Sequence, residues 1–164
     1  MKSNKDSYLF RKIDIDKDIE AIYKLNKSFA EYESRLNAKI NKDYSFEEFR
    51  KVYEDKLRAE LSALFLVETK EATGKKIIGY CLGWIEQTTF VFNREKRGKI
   101  AECFILEDYR NKGLGRKLIE HLLSWFKEND IRWITVEVLE DNESKKFWEK
   151  MGFRITSLEL QQIL

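Results

Sequence analysis

The last third of the chain alternates strand-like and helix-like runs, and this alternation restricts the fold more than any other feature. A β-rich run, Lys99 to Leu106, is followed by apolar residues at helical spacing from Leu114 to about Glu128. A second strand-like run, Trp133 to Leu139, leads to a second helical stretch from about Asn142 to Met151, and then to an extended segment, Phe153 to Leu160. Strands joined through helices run parallel, so this region predicts an α/β layer structure.

The preceding residues add antiparallel elements. Tyr8 to Ile13 reads as a strand, and Ile19, Ile22, Leu25 and Phe29 recur at three- and four-residue spacing in a helix from Asp18 to Arg35. After the polar break Asn37 to Tyr44, Ser45 with Glu48 three residues on has the form of a capping box. It opens a second helix to about Glu60, with a predicted buried face of Phe49, Val52 and Leu57. Ala63 to Glu68, a turn around Thr73 and Gly74, and Lys76 to Thr89 read as a hairpin, and the charged stretch Asn93 to Gly98 separates it from the next strand. The sheet is therefore expected to be mixed. The 164 residues contain no proline and no Pro/Gly/Ser linker, so residues 1–164 are expected to form one domain.

Composition narrows the function classes. Lys plus Arg total 31 against 29 acidic residues, a net charge of +2, which gives no general argument for nucleic-acid binding. No stretch approaches the roughly 20 apolar residues that span a bilayer, and the N-terminus lacks the apolar core of a signal peptide, so a cytoplasmic protein with no membrane partner is expected. Cys81 and Cys103 lie in strand-like runs and read as buried thiols. His121 is the single histidine and has no second histidine with which to share a metal, so no metal site is expected.

Chemistry is concentrated in Phe104-Ile-Leu-Glu-Asp-Tyr-Arg-Asn-Lys-Gly-Leu-Gly-Arg-Lys-Leu, where a strand ends, turns, and opens an amphipathic helix with Gly113 and Gly115 at its start. The first N–H groups of a helix have no partner within it, and the positive end of the helix dipole adds to their attraction for an anion. Glycines admit a ligand close to the backbone, and Arg110, Lys112 and Arg116 supply positive charge. The segment reads either as a phosphate site or as a plain turn before a surface helix. It lacks the GK[ST] ending of a Walker loop and the GxGxxG of a dinucleotide site.

Arg110-x-x-Gly113-x-Gly115 after a strand resembles the acyl-CoA-binding motif of the GCN5-related N-acetyltransferases (GNAT family). Val136-Glu-Val-Leu-Glu-Asp-Asn142 is similar to that family's fifth strand and following asparagine, and Phe147-Trp-Glu-Lys-Met-Gly-Phe153 to its FYEKxGF ending. The resemblance covers about Ile100 to Phe153. It implies an α/β fold with a mixed, mostly antiparallel sheet of six to seven strands, flanked by about four helices and splayed between strands 4 and 5. Acetyl-CoA would lie in the gap, with the backbone of Cys103, Phe104 and Ile105 pairing with pantetheine. Arg110, Asn111, Lys112, Gly113, Leu114, Gly115 and Arg116 would then hold the pyrophosphate.

The reaction this implies is direct acetyl transfer to a primary amine, which needs a base for the amine, a donor for the oxyanion and an acid for the thiolate. Glu102 is the first candidate base and Glu137 the second. Trp148 stands where the family motif usually has a tyrosine acid. An indole N–H donates a hydrogen bond but is not an acid in this range, so Trp148 either leaves thiolate departure to solvent or another group, or packs against the cofactor beside Phe147. One residue is missing relative to the family pattern, so the asparagine contact falls to Asn142, with Asp141 as the alternate. The family's acceptor site maps to Phe29, Glu31, Tyr32, Glu33, Asp43, Tyr44, Glu47 and Glu48, a mixture suited to a small cationic amine, with a protein amine also open. The alternative function is a non-catalytic acyl-CoA-binding or sensing domain. The C-terminal segment Phe153 to Leu164 is short for the family's closing strands and would be free to pair across a homodimer.

Overall fold

The computed structural model describes residues 7–59, 61–71, 74–89, 91, 96–159 and 162. Among them lie β1 (Tyr8–Lys12), α1 (Ile15–Leu36), α2 (Phe46–Arg58), β2 (Ser62–Glu71), β3 (Gly74–Gln87), β4 (Lys96–Ile105), α3 (Leu114–Glu128), β5 (Ile134–Val136) and α4 (Lys145–Lys150). The five strands form one sheet in the order β1-β2-β3-β4-β5, antiparallel except for the parallel pair β4 and β5. The predicted residues at Glu60, Thr73, 93–95, 160–161 and 163–164 lie outside the described set.

The sheet separates two cores. On one face, Ala63, Val67, Ile78, Cys81 and Ile100 pack under Leu118, Ile119, Leu122 and Phe126 of α3. On the other, Leu64, Leu66, Tyr80, Leu82 and Phe104 pack under Ile19, Ile22 and Leu25 of α1 and Phe49 and Tyr53 of α2. Alternation along β2, with Ala63 and Val67 on one side and Leu64 and Leu66 on the other, is the period-2 pattern of a strand buried on both faces. Arg11 ties the far edge together by donating to Asp18 of α1 at 2.6 and 2.9 Å and to Glu68 of β2 at 3.0 Å.

Several expectations are corrected. Val52 is 58% exposed, and Tyr53 takes its place in the core. The capping box forms as predicted, with Glu48 N–H donating to Ser45 Oγ and Ser45 N–H to the Glu48 carboxylate. It starts the helix at Phe46, and the stripe facing the sheet then runs through Phe49 and Tyr53 at four-residue spacing, leaving Val52 about 100° away. The strand predicted over Trp133 to Leu139 pairs only at Ile134–Val136. The helix predicted from Asn142 begins at Lys145, because Asn142 Oδ1 accepts the Ser144 N–H at 2.9 Å and holds a turn there. The described residues Phe153–Glu159 form no strand, so the sheet falls short of six to seven strands. Gly152, at φ 92°, turns the chain, Phe153 packs edge-on against Trp148, and the described residues beyond are exposed.

A bulge in β4 shapes everything that follows. Leu82 pairs with Glu102 and Gly83 with Ile100, so Ala101 is an extra residue. Its insertion shifts the side-chain alternation by one place. Ile100 belongs to the α3 core, whereas Ala101 packs on the α1/α2 side, the side on which Glu102 bonds α1 and α2. Pairing of β4 with β5 stops at Ile100 and Val136, next to the bulge, while β4 continues to Ile105.

Just before the bulge, the close approach of α3 requires glycine at position 98. A Cβ there would meet the buried Phe126 ring at 2.6, 2.8 and 2.9 Å. Gly98→Ala is expected to cost about 1–3 kcal/mol by overpacking, lowering the thermal midpoint by roughly 2–4 °C per kcal/mol. A midpoint equal to that of the parent protein would show that α3 yields.

Candidate active site

Because β4 outruns β5, Ala101–Ile105 has β3 on one side and, among the described residues, no strand on the other. The Leu106 N–H donates to the Ile78 carbonyl at 2.9 Å. Alternation along an extended strand then directs the backbone groups of Phe104 and Glu102 toward β3 and those of Cys103 and Ile105 toward the gap. The end of the gap is marked by Arg110, whose Nε donates to the Ile105 carbonyl at 2.9 Å and whose guanidinium lies 5.6 Å from the Phe104 ring and 5.8 Å from the Tyr32 ring. Arg110 therefore holds the strand end.

The turn that follows opens α3 without a side-chain cap. Asn111 has φ 62° and Gly113, the N-cap residue, φ 76°. The first intrahelical donor is the Lys117 N–H, to the Gly113 carbonyl at 3.2 Å, so the N–H groups of Leu114, Gly115 and Arg116 precede the helical ladder. A Cβ on Gly113 would meet nothing within 4 Å, and one on Gly115 would meet Phe147 at 3.8 Å and Ile105 at 3.9 Å. Leu114 is buried and anchors the helix start, while Lys112 and Arg116 are exposed, Arg116 pairing with Glu120 at 3.1 Å.

At the inner end of the gap lies a buried polar network. Glu102 Oε1 accepts from the Tyr53 hydroxyl, and Oε2 accepts from the Tyr80 hydroxyl at 2.5 Å and from Asn26 Nδ2 at 2.9 Å. Asn26 Nδ2 also lies 2.9 Å from the Tyr53 oxygen and 3.0 Å from the Tyr80 oxygen, so its two N–H groups are shared among three acceptors. Asn26 Oδ1 accepts from the Tyr44 hydroxyl at 2.5 Å, which fixes which end of the amide faces Glu102. Burial pushes the Tyr44 hydroxyl up to about 12, with the charge on Glu102 adding to the effect. Burial and Glu102 also push Tyr53 and Tyr80 well above the ordinary phenol range, so all three act as neutral donors. Burial holds the Glu102 carboxyl above the usual carboxylate range, against the opposing hydrogen bonds from Tyr53, Tyr80 and Asn26 and the charge of Lys56. Three accepted bonds leave Oε1 with one lone pair of the carboxylate's four acceptor positions.

The other predicted residues are distributed around this centre. Glu137 is exposed and paired with Lys99 at 2.7 Å, apart from the Glu102 network. Trp148 is 7% exposed in the α3 core, edge-on to Phe147 and Phe153 at 5.0 and 5.3 Å. Asn142 is buried and Asp141 exposed, and Asn142 Nδ2 donates to Glu33 at 2.9 Å. Of the predicted acceptor residues, Phe29 packs on Phe104 at 5.7 Å, and Tyr32, Glu33 and Tyr44 reach the site. Glu31, Asp43, Glu47 and Glu48 are exposed, Glu48 serving the capping box. Sequence reasoning missed Asn26, Tyr53 and Tyr80. The available signal was a polar residue, Asn26, within the apolar stripe Ile19, Ile22, Leu25 and Phe29.

A half-open strand leading to an uncapped helix N-terminus is compatible with an extended, amide-bearing chain ending in phosphate, which is the form of coenzyme A. The chain belongs to the acetyltransferase (GNAT) family, whose profile matches residues 19–153, and is an acetyl-CoA-dependent N-acetyltransferase. It is 28% identical over 149 residues to glucosamine 6-phosphate N-acetyltransferase 1 of Dictyostelium discoideum, covering 90% of this chain and 85% of that protein. A predicted acetyltransferase from Clostridium acetobutylicum, solved with acetyl-CoA, superposes with a TM-score of 0.76 at 20% identity over 96% of each chain. Glucosamine-6-phosphate N-acetyltransferase from Arabidopsis thaliana gives 0.71 at 22% identity, over 96% of this chain and 98% of that one. Among the described residues, no helix is long and apolar enough to cross a membrane, and no cluster of His, Cys, Asp and Glu could hold a metal ion.

Proposed function

We propose that this single-domain protein transfers an acetyl group directly from acetyl-CoA to the primary amine of a small cationic acceptor, with Glu102 as the base. Acetyl-CoA supplies the activated thioester. The carrying observation is the gap itself: β4 continues past its last pairing with β5, and Glu102 stands at that point in a buried network. Cys103 and Ile105 would offer backbone groups to the pantetheine arm, and the Leu114, Gly115 and Arg116 N–H groups would hold the pyrophosphate, with Arg110 fixing the turn. Trp148 and Phe147 support the slot by packing.

Glu102 removes the ammonium proton, directly or through water, before the neutral amine attacks; the N–C bond then forms as the C–S bond breaks, and CoA leaves as a thiolate that takes up the remaining amine proton through solvent. A carboxyl raised by burial is a better proton acceptor than an exposed one. Glu102 would attract the ammonium form, and Phe29, Tyr32 and Tyr44 would offer aromatic faces to a cation. The unjoined thiols of Cys81 and Cys103, opposite each other on β3 and β4, suit a reducing compartment such as the cytoplasm.

Thiol release from acetyl-CoA measured with a panel of primary amines tests the reading. The panel includes aliphatic diamines, amino sugars, glucosamine 6-phosphate and N-terminal peptides. Amine-dependent release that is fastest with cationic acceptors is expected; acetyl-CoA binding with no release for any amine would contradict direct transfer.

A further inference from the structure

The gap between β4 and β5 is bridged on the face opposite α3. Helix α1 passes over the end of β4: Asn26 bonds Glu102, Phe29 lies on Phe104, and Glu33, about two turns beyond Asn26, accepts a hydrogen bond from Asn142 Nδ2 at 2.9 Å. Asn142 belongs to the loop between β5 and α4, so this bond joins the two walls of the gap. Its geometry is fixed from both ends. Asn142 Oδ1 accepts the Ser144 N–H at 2.9 Å, and the Asn142 N–H donates to the Leu139 carbonyl at 3.0 Å. A carboxylate accepts hydrogen bonds, so Glu33 dictates that the nitrogen end of the Asn142 amide turns toward it.

Glu33 has no ion-pair partner among the described residues, and burial holds its carboxyl above the ordinary carboxylate range. A half-buried acid kept without a cation, bonded only to one buried amide, is costly as mere surface decoration. We propose that Glu33 is a positioning residue for acetyl-CoA: through Asn142 it sets the separation of the gap's two walls and orients an amide that keeps one N–H free for the cofactor. The proposal rests on the assignment of the gap to acetyl-CoA.

Calorimetric titration with acetyl-CoA, together with steady-state rates, tests it. Glu33→Ala is expected to raise the Kd and KM for acetyl-CoA roughly three- to tenfold, the equivalent of one net hydrogen bond, with kcat at saturation retained. Glu33→Gln keeps an acceptor oxygen and should restore most of the affinity, which also separates the effect from misfolding. Asn142→Ala should weaken binding comparably, and the double variant should be no weaker than the worse single one. Unchanged acetyl-CoA affinity in Glu33→Ala, or a fall in kcat without a change in Kd, would overturn the role. If Gly113→Asp still abolished binding in that case, the cofactor assignment would stand alone; absence of binding by the parent protein would remove both.

Discussion

Glu102→Gln is expected to lower kcat/KM for the amine by about 10²–10³-fold while acetyl-CoA affinity stays unchanged. The substitution preserves shape and removes the basic oxygen. Three neighbours make the effect specific: Tyr53, Tyr80 and Asn26 all donate to this carboxylate, and each tyrosine is held neutral by burial and by the Glu102 charge, so none can act as the base in its place. The pH dependence carries the same signature. Glu102 works as a base only when ionised, so kcat/KM of the parent enzyme should rise with pH through a value above the ordinary carboxylate range, and this limb should vanish in the variant. Stability should move in the opposite direction. A carboxyl whose folded pKa is raised binds its proton more tightly in the folded state, so its stabilising contribution is fully present below the unfolded pKa and is lost as pH rises through the folded value. Denaturant midpoints of parent and variant across that range should therefore diverge with pH. A variant that retained parental turnover would make Glu102 a purely structural member of the network.

Gly113→Asp is expected to weaken acetyl-CoA binding by at least about 100-fold. At an effective dielectric near 20, a carboxylate about 5 Å from a pyrophosphate charge costs about 3 kcal/mol. It also takes up the helix N-terminal field that would otherwise hold the phosphate. The fold should survive, because a Cβ at this position meets nothing within 4 Å and aspartate tolerates the left-handed backbone better than most residues. A thermal midpoint near that of the parent protein, combined with lost calorimetric heat, would assign the loss to the site. Parental affinity in this variant would place the pyrophosphate elsewhere.

The elements most legible in the sequence were those with their own local signals. The capping box announced α2, and the two glycines with the apolar period announced α3 from Leu114 to Glu128, where it is found. The pairing limits were not legible, since the length of β5 depends on a bulge in β4 at Ala101 that no residue type betrays. The same bulge places Glu102 on the α1/α2 face. Glu102 was selected from its place before the turn, but Asn26, Tyr53 and Tyr80, which hold it, come from α1, α2 and β3 and meet only through the tertiary fold. Tyr53 was overlooked because its neighbour Val52 is the more apolar residue, whereas helix phase, set by the cap, brings Tyr53 inward. The contact of Asn142 with Glu33 joins residues far apart in the chain and carries no local signal.

Backbone amide shifts of the protein titrated with acetyl-CoA, followed by heteronuclear NMR, locate the cofactor in the gap or outside it. The largest shifts are expected at Cys103, Ile105, Leu114, Gly115 and Arg116, with the β1 and β2 amides little changed; binding that left those five amides unperturbed and moved another part of the molecule would place acetyl-CoA elsewhere.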